Sequence, residues 1–165
     1  MSLTLKVNFK KGWPSPAIVE KAVAPASGVT TLEAGMVGHL DSSSNWVLGV
    51  SAVAQLPFIF RNDQTDPDAN RGASNTNYVQ AAFGAVQGIA FSNALEVQTI
   101  QYSGTPAAGD QLYADTDGLL KVAITAAGSV SVGSKPIVAV CTKGVTAYQH
   151  SNYITFVPDT SKRLS

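Results

Sequence analysis

One pattern occurs twice in this chain, and it restricts the fold more than any other feature. Ala34-Gly35-Met36-Val37-Gly38-His39-Leu40-Asp41 is followed, after a short polar gap, by Asn45-Trp46-Val47-Leu48-Gly49. Ala108-Gly109-Asp110-Gln111-Leu112-Tyr113-Ala114-Asp115 is followed by Asp117-Gly118-Leu119-Leu120-Lys121-Val122. Each copy reads as a glycine at a tight corner, a short strand, an Asp-led polar turn and a returning strand. Asp, Asn, Ser and Gly accept turn dihedrals that β-branched residues resist, so both copies predict a β-hairpin.

The remaining chain uses the same grammar. Leu3, Leu5, Val7 and Phe9 alternate with Thr4, Lys6, Asn8 and Lys10, the period of a half-buried strand, which Gly12-Trp13-Pro14-Ser15-Pro16 ends. Residues 1–16 are therefore an N-terminal strand or arm. Further strands are predicted over residues 17–24, 29–32, 95–102, 136–142 and 153–157. Residues 78–89 are rich in small side chains, but Gly84 and Gly88 weaken a helix there and favour strand or irregular structure. Residues 147–152 read as a loop and residues 159–165 as a polar tail. Arg61 to Asn77 is polar throughout, and a loop of that length in a compact domain is a functional extension or mobile. Short strands between regularly spaced turns, with no amphipathic helix, predict one all-β domain over residues 1–165, a compact β-sandwich or small β-barrel.

Composition limits the partners. Only 13% of the 165 residues are charged, about half the usual share. Such a surface protects a free monomer poorly against association, so part of it is expected to be covered by neighbours. The formal net charge is zero, which argues against binding nucleic acid directly through phosphate neutralisation. The charges are nevertheless unevenly placed. Residues 1–21 carry Lys6, Lys10, Lys11 and Lys21 against Glu20, a net of +3. Residues 22–120 carry Arg61 and Arg71 against nine acids, a net of −7, and the remainder, including Lys162 and Arg163, is +4. Basic ends around an acidic middle suit docking onto an acidic protein surface, with Lys6, Lys10, Lys11, Trp13, Arg61, Arg71, Lys162 and Arg163 as candidate contacts. Separately solvated charges are the plain alternative. No apolar run approaches the ~18 residues that span a bilayer, and Met1–Phe9 alternates rather than forming a secretory signal. A soluble protein made in the cytoplasm, without a membrane partner, is expected.

No constellation of catalytic, cofactor-binding or metal-binding residues assembles. Cys141, the only cysteine, lies in an apolar strand-like run, where an inert buried thiol is the default. Neither His39 nor His150 has a second ligand at metal-site spacing. There is no Gly-x-Ser-x-Gly elbow and no phosphate loop. Asp63, Asp66 and Asp68 could supply oxygens to calcium, but the Gly and closing Glu of an EF-hand are missing, and a solvated acidic loop explains them. Asp115-Thr116-Asp117-Gly118 is better read as a hairpin turn than as half a calcium loop. Trp13 and Trp46 could stack on sugars, or equally serve as core plugs or contact anchors.

The second repeat and its surroundings resemble a known family. Gly104-Thr105-Pro106-Ala107-Ala108-Gly109-Asp110-Gln111-Leu112-Tyr113, then Asp117-Gly118-Leu119-Leu120, and later Ser134-Lys135-Pro136-Ile137-Val138-Ala139-Val140, are similar to the capsid decoration, or cement, proteins of tailed bacteriophages. The first repeat fits the same style, and the likeness covers about two-thirds of the chain, with residues 57–93 departing from it. The resemblance implies a β-rich homotrimer without catalytic residues or cofactors. It would sit on the outer surface of the virion, bound to the major capsid protein. The rival expectations are a carbohydrate-binding or host-attachment module of the same virion and a small hydrolase built on scattered Ser, His and Asp residues.

Overall fold

Alternating side chains build two antiparallel sheets around a shared apolar interior. The computed structural model describes residues 7–12, 18–22, 31–61, 79–81, 85–92, 95–148 and 151–159. With strands numbered in chain order, a six-stranded sheet runs β1 (Val7–Gly12), β9 (Leu95–Thr99), β13 (Ser151–Pro158), β12 (Ala139–Tyr148), β10 (Gln111–Ala114), β11 (Leu120–Ile124). A five-stranded sheet runs β2 (Ile18–Ala22), β8 (Ala85–Ala90), β6 (Phe58–Phe60), β4 (Val37–Leu40), β5 (Trp46–Leu48). β3 (Thr31–Glu33) and β7 (Val79–Ala81) pair as a separate ribbon. No helix occurs among the described residues. The chain is all-β, and its two large sheets form a sandwich.

The period-two pattern explains what lies between and outside them. In β9, Leu95, Val97 and Thr99 are buried while Glu96 and Gln98 are not. Leu95 and Val97 join Val37 and Ile59 of the five-stranded sheet, with Leu112, Ala139, Ile154 and Phe156 of the six-stranded one, in the main core. β6 is buried at all three positions because its sheet is covered on both faces. Ile59 enters the main core, whereas Phe58 and Phe60 meet Trp46, Leu32 and Val86 in a second cluster. Likewise, Tyr113 faces away from Leu112 and packs with Ala123 and Ile137 under the segment after β11. Beyond β9 the chain bends and runs beside β11, joined by a parallel bridge between Tyr102 and Leu120. The order β9-β13-β12-β10-β11 thereby closes on itself, so the sandwich has some character of a barrel.

Four strand boundaries differ from expectation. The run over 95–102 is ladder strand only to Thr99, and Tyr102 makes an isolated bridge. The run over 136–142 becomes strand only at Ala139, because Pro136 has no N–H to give a ladder. Residues 147–152 are not a loop: Ala147 pairs with Asn152 and Tyr148 with Ser151. Thr146 opposite Tyr153 favours extended pairing there, so the hairpin continues almost to its tip. The strand over 29–32 is Thr31–Glu33, and it pairs with Val79–Ala81 across the long polar segment. Of that segment only Arg61 lies within the described residues.

Candidate functional site

The two repeated hairpins meet at a seam. Gly35 and Gly109, the corner glycines, have φ of 88° and 92°, a left-handed conformation that a side chain would strain. In the first hairpin, β4–β5, Asp41 Oδ1 accepts from the amides of Ser43 (2.8 Å) and Asn45 (2.9 Å). In the second, β10–β11, the Gly118 amide donates to Asp115 O at 2.8 Å and the Leu119 amide to Asp117 Oδ1 at 3.0 Å. The hairpins are joined directly: the Val37 amide donates to Gly118 O (2.9 Å) and the Val50 amide to Ala114 O (3.1 Å). Gly49 lies against the Asp115 carbonyl, where no Cβ fits. A buried polar link ties the same corner to β9, through Thr99 Oγ1 on Gly35 O and Gln101 Nε2 on Glu33 Oε2.

Carboxylates around the second hairpin are committed to structure. Asp110, buried, accepts from the amides of Ala107 and Ala126, each at 2.8 Å. Lys121 Nζ is 2.7 Å from Asp115 and 2.9 Å from Asp117. The hydrogen bond from Lys121, then that from the Thr116 amide, holds the Asp115 carboxyl below the usual carboxylate range. Asp115 and Asp117 therefore serve the hairpin, as the turn reading expected. Cys141 is buried; desolvation first, then the charge of Asp110, pushes its thiol up to about 11. It is protonated at neutral pH and a poor nucleophile.

A cleft of about 140 Å³ lies along the seam, lined by His39, Val47, Leu48, Gly49, Val50, Ser51, Ala114, Thr116 and Lys135. His39 is 8% exposed, and its Nδ1 donates to Gly49 O at 2.7 Å. Lys135 is half-buried, with its Nζ 6.0 Å from the centre of the Tyr113 ring. A larger open depression of about 390 Å³ includes Ser103, Thr105, Asp110, Lys121 and Thr125, but both of its charged groups are already engaged as described.

The expected contact residues are only partly placed. Lys10 is exposed beside a bulge in β1, the outer strand next to β9. Lys11 lies opposite Glu96 in that ladder. Arg61 is half-buried just after β6, its amide donating to Gln87 O at 3.1 Å. Lys6, Trp13, Arg71, Lys162 and Arg163 lie outside the described residues, as do Asp63, Asp66, Asp68 and His150. Gly12 pairs with Leu95 and Phe156 with Val97, so β1 and β13 run side by side in direction and end together. Lys10, Lys11 and the start of the tail thus share one end of the six-stranded sheet. Arg61, in the other sheet, follows a different strand. Trp46 is fully buried, its Nε1 donating to Val86 O at 2.8 Å, with Phe58 and Phe60 edge-on at 5.0 and 5.1 Å. It is a core plug, unavailable for stacking on a sugar. That His39 and Lys135 line one cleft was not foreseen, because it depends on how segments distant in the chain dock. His39 lies within the first repeat and Lys135 well beyond the second, so no local pattern joined them.

Compared with known proteins, the chain matches no protein-family model and no curated sequence.

Proposed function

We propose that this protein is a non-enzymatic virion component. It decorates the outer surface of an icosahedral phage capsid as a homotrimer and binds adjacent major capsid protein subunits. The observation that carries this reading is where the family-like residues fall. Gly109, Asp110, Leu112, Gly118 and Leu120 form the hairpin at the seam, so the resemblance lies in the rigid frame. That frame presents a pinned apolar loop. The Gln55 side chain accepts from the amides of Ser51 (2.8 Å) and Ala52 (3.1 Å), leaving Val53 and Leu56 exposed at 42% and 67%. A pre-ordered loop loses little entropy on docking. Binding only the assembled lattice stabilises that lattice by mass action, and three copies add avidity. With Trp46 sealed in the core, the carbohydrate-binding alternative loses one of its two aromatic candidates.

The test is to mix the purified protein with empty shells assembled from the cognate major capsid protein. Expected are saturable binding, a raised thermal midpoint of the shells, and a trimer by sedimentation equilibrium. A protein that stays monomeric and leaves the shells unbound overturns the reading.

A further inference from the structure

The second hairpin carries the sole Asp-Gly step in the sequence, Asp117-Gly118, and no Asn-Gly step occurs. Such a step is where a chain isomerises, because glycine has no side chain to block attack of its amide on the preceding carboxyl. In that reaction Gly118 N bonds to Asp117 Cγ, and one carboxyl oxygen leaves as water with the amide proton and the carboxyl proton. Water then opens the cyclic imide at the Asp117 main-chain carbonyl. The chain thereafter runs through the side chain as isoaspartate, one methylene longer. Nothing is oxidised or reduced, and water is the only co-reactant. Asp117 is open to solvent, its side chain 47% exposed. By contrast, Asp41 in the first turn precedes Ser42, whose side chain crowds the same attack.

The fold restrains both partners in that attack. The Gly118 amide, the nucleophile, is occupied, donating to Asp115 O at 2.8 Å. The carboxyl is held at both oxygens, Oδ1 by the Leu119 amide at 3.0 Å and Oδ2 by Lys121 Nζ at 2.9 Å. An oxygen leaves as water only once it is protonated, and a proton at Oδ2 has to displace the ammonium. Asp115 anchors the same lysine at 2.7 Å and so keeps it over the turn. Failure here would fall on the seam. Gly118 is buried against Met36 and Leu48, and its carbonyl accepts the Val37 amide at 2.9 Å. A backbone lengthened by one methylene at Asp117 cannot hold that carbonyl in place within a close-packed junction. We propose that Asp117-Gly118 is a latent isoaspartate site, and that Lys121 is the positioning residue that keeps it closed. The site is independent of what the protein binds.

The experiment ages the intact protein in neutral buffer at physiological temperature for several weeks. Lys121→Met, Lys121→Arg and the parent chain held unfolded in urea are aged beside it. Isoaspartate is counted by methyl transfer with an isoaspartyl methyltransferase and located by fragmenting the peptide that spans Asp117. Hydrogen exchange of the Gly118 amide is followed in parallel. The folded parent should isomerise at least about tenfold more slowly than the unfolded chain, because attack waits on local opening of the turn. Lys121→Met should isomerise about two- to fivefold faster than the parent, the range that an exposed ion pair allows. That acceleration should come without a matching rise in Gly118 exchange, and Lys121→Arg should restore protection. The isoaspartyl form, once separated, should melt below the unmodified protein. Equal rates in the folded and unfolded parent, or no acceleration in Lys121→Met, overturns the inference. So does an acceleration accounted for by faster Gly118 exchange, or an isoaspartyl form that melts with the parent.

Discussion

The two hairpins share turn chemistry but not the means of their support. Each turns a left-handed glycine corner into a short strand and reverses at an aspartate. The residue after the corner then differs: Met36 in the first, where it packs against the aromatic cluster, and Asp110 in the second, where it caps two amides. Behind the first stand Trp46, Phe58 and Phe60, all buried. The second pairs Lys121 with two turn carboxylates and is covered on its outer side by only the small group around Tyr113. Turn residues specify a reversal; neighbours in space specify what holds it.

Removing the aromatic support should expose that asymmetry most strongly. Trp46→Ala is expected to cost about 3–5 kcal/mol in chemical denaturation. A loss below about 1 kcal/mol would show that the first hairpin stands without its cluster. Next, Asp110→Met, which gives the second repeat the residue of the first, leaves the Ala107 and Ala126 amides without their acceptor. A loss of about 1–3 kcal/mol is expected, and no change would mean that the two corners are interchangeable. The smallest effect belongs to Lys121→Met. Its side chain is 26% exposed, as is that of Asp115, so the pair should contribute about 0.2–1 kcal/mol at neutral pH. Because folding lowers the Asp115 pKa from 3.8, this contribution is full above that value and disappears as acid carries the pH through the lower, folded one. Parent and variant should therefore converge in strong acid. A gap that persists there assigns the effect to lost packing of the lysine stem.

The hairpins were legible from sequence because glycine and aspartate act within a few residues of themselves. The long alternating strand at Leu95 was legible for a similar local reason: one face buries and the other does not. By contrast, the extent of β12 and β13 depends on mutual pairing, so the expected loop at 147–152 proved to be ladder. The fate of Trp46 followed from Phe58, Phe60 and Val86, all distant in the chain. The seam cleft was hidden for the same reason, since its lining comes from segments far apart in the chain.

The strand order gives the molecule a weak and a strong direction under mechanical load. Among the described residues, β1 is held by one ladder, to β9, whereas β13 lies between β9 and β12 and is held by two. A pull on β1 can peel it away pair by pair while the closed ring behind it stays shut. A pull on β13 must break pairing on both of its sides and disturb Ile154 and Phe156, both fully buried. Whatever this protein is fastened to, tension transmitted through its final strand is borne by the whole sheet, and tension through its first strand is released at the rim.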